Sequence, residues 1–146
     1  MGPIATGYIA AATLFLGSNA MAQGASPHSG LIQGDPAEDP NTPTPLALYG
    51  TASVGGASGC GVVYKLELTG KEIVLYNFTC GTAGGNPFTR VIADYAGNLY
   101  GTASFDGAYG YGVLYKLDRT GKQTVLHAFT GGADGGSPQD GVLLRR

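Results

Sequence analysis

The chain has 146 residues, 26 of them glycine and only 12% charged, with a formal net charge of −2. That length holds one domain or a short run of repeats. Its 8 basic residues are scattered and leave no electrostatic footprint for nucleic acid, while an apolar content of 43% excludes a disordered chain.

Residues 1–22 stand apart. No Lys or Arg occurs before Lys65; an apolar run over Tyr8–Leu16 is followed by Ser18-Asn19 and then Ala20-Met21-Ala22. This pattern matches an h-region and an A-x-A cleavage site, so a signal peptide cleaved before Gln23 is expected, although no basic residue precedes the apolar run. An ordinary apolar N-terminal helix is the alternative. A bilayer needs about 20 apolar residues, so no integral membrane span is expected. The expected location is extracellular or at the cell surface.

Residues 23–47 read as a partial repeat. Gly24-Ala25-Ser26-Pro27 lines up with Gly135-Gly136-Ser137-Pro138, and the match runs on through Ile32. It is then interrupted by Asp35–Pro45, whose prolines and acids predict an extended, solvated loop. A surface insertion is the plain reading of that loop, and a binding loop beside the repeats is the functional one.

From Leu48 onward the chain repeats itself. Residues 48–95 align with 99–146 without a gap, 26 of 48 positions being identical. Repeats of this length are single supersecondary units that stack on one another. The units are repeat 1 over 48–98 and repeat 2 over 99–146. In the four-strand unit that starts before repeat 2, Phe88–Asp94 predicts a strand leading into a turn at Tyr95–Asn98. Asn98–Ser104 predicts a second strand, ended by the glycine-rich stretch Asp106–Gly110. Gly112–Asp118 and Lys122–Phe129 predict a β-hairpin around Thr120-Gly121. Val62, Tyr64 and Leu66, recurring as Val113, Tyr115 and Leu117, alternate with more polar residues and are expected to form the better-buried face. In the last strand Val74, Tyr76 and Phe78 are expected to share one face, with Leu75 on the other. Apolar residues on both faces predict a sheet sandwiched between neighbours.

The segments Gly97-Asn98-Leu99-Tyr100-Gly101-Thr102, Gly112–Leu117, Thr124–Phe129 and Gly135-Gly136-Ser137-Pro138 resemble, in register, the GloVer tandem repeat of choice-of-anchor proteins. The resemblance covers about residues 24–146. It implies an exported or surface-attached β-propeller-like repeat protein with no established catalytic residues. The fold expected is therefore all-β: tandem four-stranded antiparallel blades in an incomplete β-propeller-like array. Members usually carry many copies, and closed rings take about four to eight blades. Two full copies and no anchor segment lead to the expectation of a fragment of a longer reading frame, with self-association through open blade faces as the alternative.

The two cysteines, Cys60 and Cys80, fall at opposite ends of the repeat 1 hairpin, close to bridging distance for facing strand positions. In an oxidising compartment a disulfide is expected. Two independent buried thiols are the alternative, and zinc lacks the ligands to complete four. His127 takes the slot of Tyr76 and is expected as a half-buried packing ring; His28, aligned with Phe88 and Gln139, is expected in a turn. Asp106, Asp134 and Asp140 read as solvated turn residues, without calcium-loop spacing. The cluster Gly107–Gly112 lacks a phosphate-loop ending and reads as a turn. No metal, cofactor or catalytic residue is expected. The function expected is a non-catalytic binding or structural module with an unknown surface or extracellular ligand. A fragment of a propeller enzyme acting on polysaccharide is the alternative. It would need paired carboxylates roughly 5–9.5 Å apart; Glu67 and Asp118, the acid pair shared by both copies, flank a turn.

Overall fold

A computed structural model of the chain describes residues 24–33 and 47–145. The expected signal peptide at 1–22 and the insertion at 35–45 lie outside the described residues. Apart from one 3-10 turn at Gly81–Ala83, the described chain is strand and loop. Sheet I places β2 (Ile32–Gln33), β3 (Ala47–Ala52), β5 (Val62–Glu67) and β6 (Glu72–Asn77) side by side, all antiparallel. Sheet II repeats that order with β7 (Ile92–Ala93), β8 (Leu99–Ala103), β9 (Val113–Leu117) and β10 (Gln123–Ala128). A two-residue ribbon joins β1 (Gly24–Ala25) to β4 (Val54–Gly55).

Three hairpin turns use one local solution. In Glu67-Leu68-Thr69-Gly70, Asp94-Tyr95-Ala96-Gly97 and Asp118-Arg119-Thr120-Gly121, the glycine N–H donates to the acid's backbone carbonyl at 2.8–3.0 Å. Each glycine has φ between 79° and 90°, the left-handed conformation that this kind of short hairpin loop demands. Asp118 adds a carboxylate oxygen that accepts from Thr120 N, Thr120 Oγ1 and Lys122 N. Side-chain acceptance of this kind is why Asp favours turns.

The sheets pack face to face. Sheet I presents Tyr49, Val63, Tyr76 and Phe78 to Leu99, Val113, Tyr115 and Leu117 of sheet II, forming one apolar cluster. Phe78 meets Tyr115 edge-on, ring centroids 5.2 Å apart. Polar bonds register the contact: Tyr76 Oη donates to Gln123 Oε1 at 3.2 Å, and Gln123 Nε2 donates to Ala83 O at 2.8 Å. A hydroxyl relay continues the repeat. Ser29 donates to Thr51, whose Oγ1 donates to Thr89 O at 2.9 Å; Thr89 donates to Thr102, whose Oγ1 donates to Asp140 O at 3.2 Å. Thr51, Thr89 and Thr102 are buried, so these bonds satisfy groups that would otherwise be costly to desolvate.

Three expectations need correction. Val113, Tyr115 and Leu117 are fully covered, as the alternation predicts. In sheet I, however, Val63 is as buried as Val62, while Tyr64 and Leu66 are only half-buried. Sheet II covers the Val63 face; on the opposite face Val62 is buried beneath the loop at Gly56, and Tyr64 and Leu66, farther along the strand, are only half-covered. Second, the β5–β6 register shifts between Val63 and Tyr64, so Val74 pairs with Tyr64 and Tyr76 with Val63. This bulge at Leu75 puts Val74 on the opposite face from Tyr76 and Phe78. Third, the strand expected over Phe88–Asp94 shrinks to Ile92–Ala93. Its first half is held by the threonine relay instead of a ladder.

Candidate binding surface

One end of both sheets is built from glycine-rich loops laced to the inter-sheet linkers. Ala25 pairs with Val54, and Gly85 bridges Phe105 at the equivalent place. Asn86 N donates to Cys60 O at 2.8 Å, as Ser137 N donates to Tyr111 O at 2.7 Å. Ser26, Asn86 and Ser137, each just before a proline, have φ of 55°, 55° and 49°. A non-glycine residue in this region is uncommon, and its threefold recurrence marks a fixed rim geometry. Asn86 secures it further by donating Nδ2 to Ser53 O at 3.0 Å.

The disulfide lies in this rim. Cys60 and Cys80 are bonded with Cα atoms 5.7 Å apart, and no free cysteine remains. The pairing is the one expected from the two ends of the hairpin. Asp106 lies beside the pair, but sulfurs bonded to each other are not thiolate ligands. Sheet II solves the same position differently. There Tyr111 replaces Cys60 and Gly131 replaces Cys80, and the Tyr111 ring lies so close that a Cβ on Gly131 would sit 2.6 Å from it. A ring on a glycine takes the place of a covalent bond.

Aromatic rings continue along the rim. His28 lies 5.4 Å from Phe88, and Phe88 lies 6.2 Å from Phe105, centroid to centroid. His28 and Phe105 are exposed and Phe88 is half-buried, while Tyr109 and Tyr111 add exposed rings from the loop after Phe105. Sequence reasoning noted that His28 and Phe88 occupy equivalent slots but missed Phe105. Its signal was available: an aromatic replaces Val54 directly before the glycine-rich loop.

Three carboxylates are committed to fixing loops. Asp94 accepts from Asn98 Nδ2, Ala96 N, Asn98 N and Tyr100 Oη. These bonds, that from the Asn98 side chain foremost, hold its carboxyl below the ordinary value. Asp118 is lowered by its bond from the Thr120 hydroxyl and by the Lys122 amide. Asp134 is lowered chiefly by the Thr130 hydroxyl, and also accepts at 3.0 Å from His127 Nε2. His127 itself packs edge-on against Phe129 at 4.8 Å with 46% of its side chain exposed. Asp106 is a turn residue with φ 62°, its carbonyl accepting from Gly112 N. Asp140 contributes its backbone carbonyl to the threonine relay. Gly107, Gly110 and Gly112 all have positive φ, which makes the Gly107–Gly112 cluster a turn. At the opposite end, a shallow cleft of about 200 Å³ between the sheets is lined by Tyr49, Lys65, Leu75, Leu99, Leu117 and Asp118, among others. No helix among the described residues is long and apolar enough to cross a membrane.

No curated protein and no solved structure matches the chain. The Gloeobacter/Verrucomicrobia repeat matches residues 8–146, taking in both sheets, the linkers and the rim. With nearly its whole length accounted for by that match and by the recurring sheet unit, the chain belongs to the Gloeobacter/Verrucomicrobia repeat family.

Proposed function

We propose that this chain is an exported, non-catalytic module whose sheets are blades of an open propeller-like array and whose glycine-rich rim is its binding surface. The observation that carries the reading is the row His28–Phe88–Phe105. Three rings touch in sequence, and the two outer ones remain exposed. Burying such rings gains free energy, so leaving them in water on a braced rim suits a ligand with flat apolar faces. Pyranose rings of an extended polysaccharide have such faces and are the first class to test. The disulfide suits an oxidising compartment. A non-catalytic role is supported by the carboxylates of Asp94, Asp118 and Asp134, each occupied in fixing a loop.

Two measurements test this reading. Expression of the full chain with a C-terminal tag, followed by fractionation and N-terminal sequencing, is expected to yield exported protein beginning at Gln23. Affinity electrophoresis through a panel of soluble polysaccharides is expected to retard the protein, and Phe88→Ala with Phe105→Ala to weaken retardation at least tenfold. Cytoplasmic protein beginning at Met1 would remove export. Unretarded migration in every gel, or retardation indifferent to both substitutions, would remove the rim as a polysaccharide site.

A further inference from the structure

The contact between sheets I and II has two unlike sides, and each sheet carries both of them. On its side toward sheet II, sheet I presents Tyr76 and Phe78, rings edge-on at 5.0 Å and 89°, with Leu75 beside them. The far face of sheet II repeats this with His127 and Phe129, edge-on at 4.8 Å and 87°, and with Leu126. Phe78 is buried by sheet II, whereas Phe129 is only partly covered and Leu126 is 49% exposed. The receiving side of sheet II is Leu99, Val113, Tyr115 and Leu117. The far face of sheet I repeats it with Leu48, Tyr64 and Leu66, each half-buried, around Val62, which is already covered by its own loop. Tyr64 lies across Gly50 as Tyr115 lies across Gly101, each a cross-strand pair with the phenol oxygen within 2.7 Å of where a glycine Cβ would be.

We infer that the far face of sheet II binds the far face of sheet I of a second copy, head to tail, reproducing the internal contact. The inference is carried by continuity with an interface already built within the chain, and it needs neither export nor the rim ligand. Chemistry at the pairing point is kept in kind. Internally Tyr76 donates to Gln123 at 3.2 Å; between copies the equivalent places fall to His127, which also bonds Asp134, and Glu72, so the positions remain polar. Because the two sides differ, the contact is heterologous and propagates beyond a dimer unless its rotation closes a ring.

Sedimentation velocity on the full chain, from micromolar to near-millimolar concentration, reads this directly. Wild type is expected to rise in mass at least twofold with concentration. Leu126→Asp blocks one side and Leu66→Arg the other; the arginine faces Glu72 across the strands, which favours folding. Each variant alone is expected to stay monomeric, with an unchanged circular dichroism spectrum. A one-to-one mixture is expected to form a dimer and stop there, since only one competent pair of sides remains. A wild-type monomer at every concentration would overturn the inference. So would variants that associate like wild type, or a mixture that stays monomeric, since a self-complementary contact could not be rescued by mixing.

Discussion

Tyr115 shows how far a single side chain can be pushed by the repeat. Its ring is fully buried between the sheets, lying over Gly101 where a Cβ would come within 2.6 Å of the phenol oxygen. Glycine in a strand normally costs stability, and an aromatic laid across it from the neighbouring strand recovers the missing contact. The hydroxyl, however, has no hydrogen-bond partner. Burial, with a further contribution from Tyr76, drives its pKa upward from 10.0. The folded state therefore favours the neutral phenol. The sign follows from linkage: this preference is fully present below about pH 10 and is lost as pH rises above it. Tyr115→Phe removes an unsatisfied polar atom while keeping the ring. It is expected to raise stability by about 1 kcal/mol in urea titrations at neutral pH, and to move alkaline unfolding to higher pH. A variant less stable than wild type would show that the hydroxyl is satisfied in solution.

At the scale of the hairpin, the two sheets close the same loop with different chemistry. In sheet I the Cys60–Cys80 bond ties the entry of β5 to the segment after β6, across 20 residues. In sheet II Tyr111 covers Gly131, a contact that stabilises the folded state only and leaves the unfolded chain unconstrained. Breaking the disulfide is therefore expected to cost about 3 kcal/mol, the chain-entropy value for a loop of this length. Guanidinium unfolding of the Cys60→Ser, Cys80→Ser double variant measures it. Amide exchange is expected to accelerate around β5 and β6 more than around β9 and β10. Equal acceleration in both hairpins would mean that the bond acts through the whole molecule and not through its own loop. This pairing was legible in the sequence, because both cysteines could be counted outward from the Thr69-Gly70 turn. Tyr111 on Gly131 was not, since a glycine's role as a seat for a ring depends on φ and on a neighbour that spacing does not reveal.

Across the whole molecule, sequence periodicity reported the strands and missed what covers them. Val62, Tyr64 and Leu66 have the pattern of Val113, Tyr115 and Leu117, yet only the second set is covered by a neighbouring sheet, so Tyr64 and Leu66 stay half-buried where Tyr115 and Leu117 are fully covered. The bulge at Leu75 was equally silent, because a one-residue slip leaves composition untouched while reversing which side chains share a face. The aromatic rim emerged only when linker and loop were brought together in space. This dependence of burial on stacking yields a last expectation, which uses the repeat as its own control. Phe78 and Phe129 occupy equivalent positions and each packs edge-on against the ring two residues before it. Phe78 is 0% exposed and touches Tyr115 across the interface; Phe129 has no third sheet over it among the described residues. Phe78→Ala opens a cavity at the contact that joins the sheets, and is expected to cost about 3–5 kcal/mol. Phe129→Ala, at concentrations low enough to hold the chain as a monomer, is expected to cost less, since the ring is only partly buried and no neighbouring sheet packs on it among the described residues. Both values come from denaturant unfolding followed by far-ultraviolet circular dichroism. Because the interface holds most of the fully buried side chains, each variant is expected to lose both sheets in one transition. Equal costs for the two substitutions would mean that stability resides inside each sheet and that stacking contributes little.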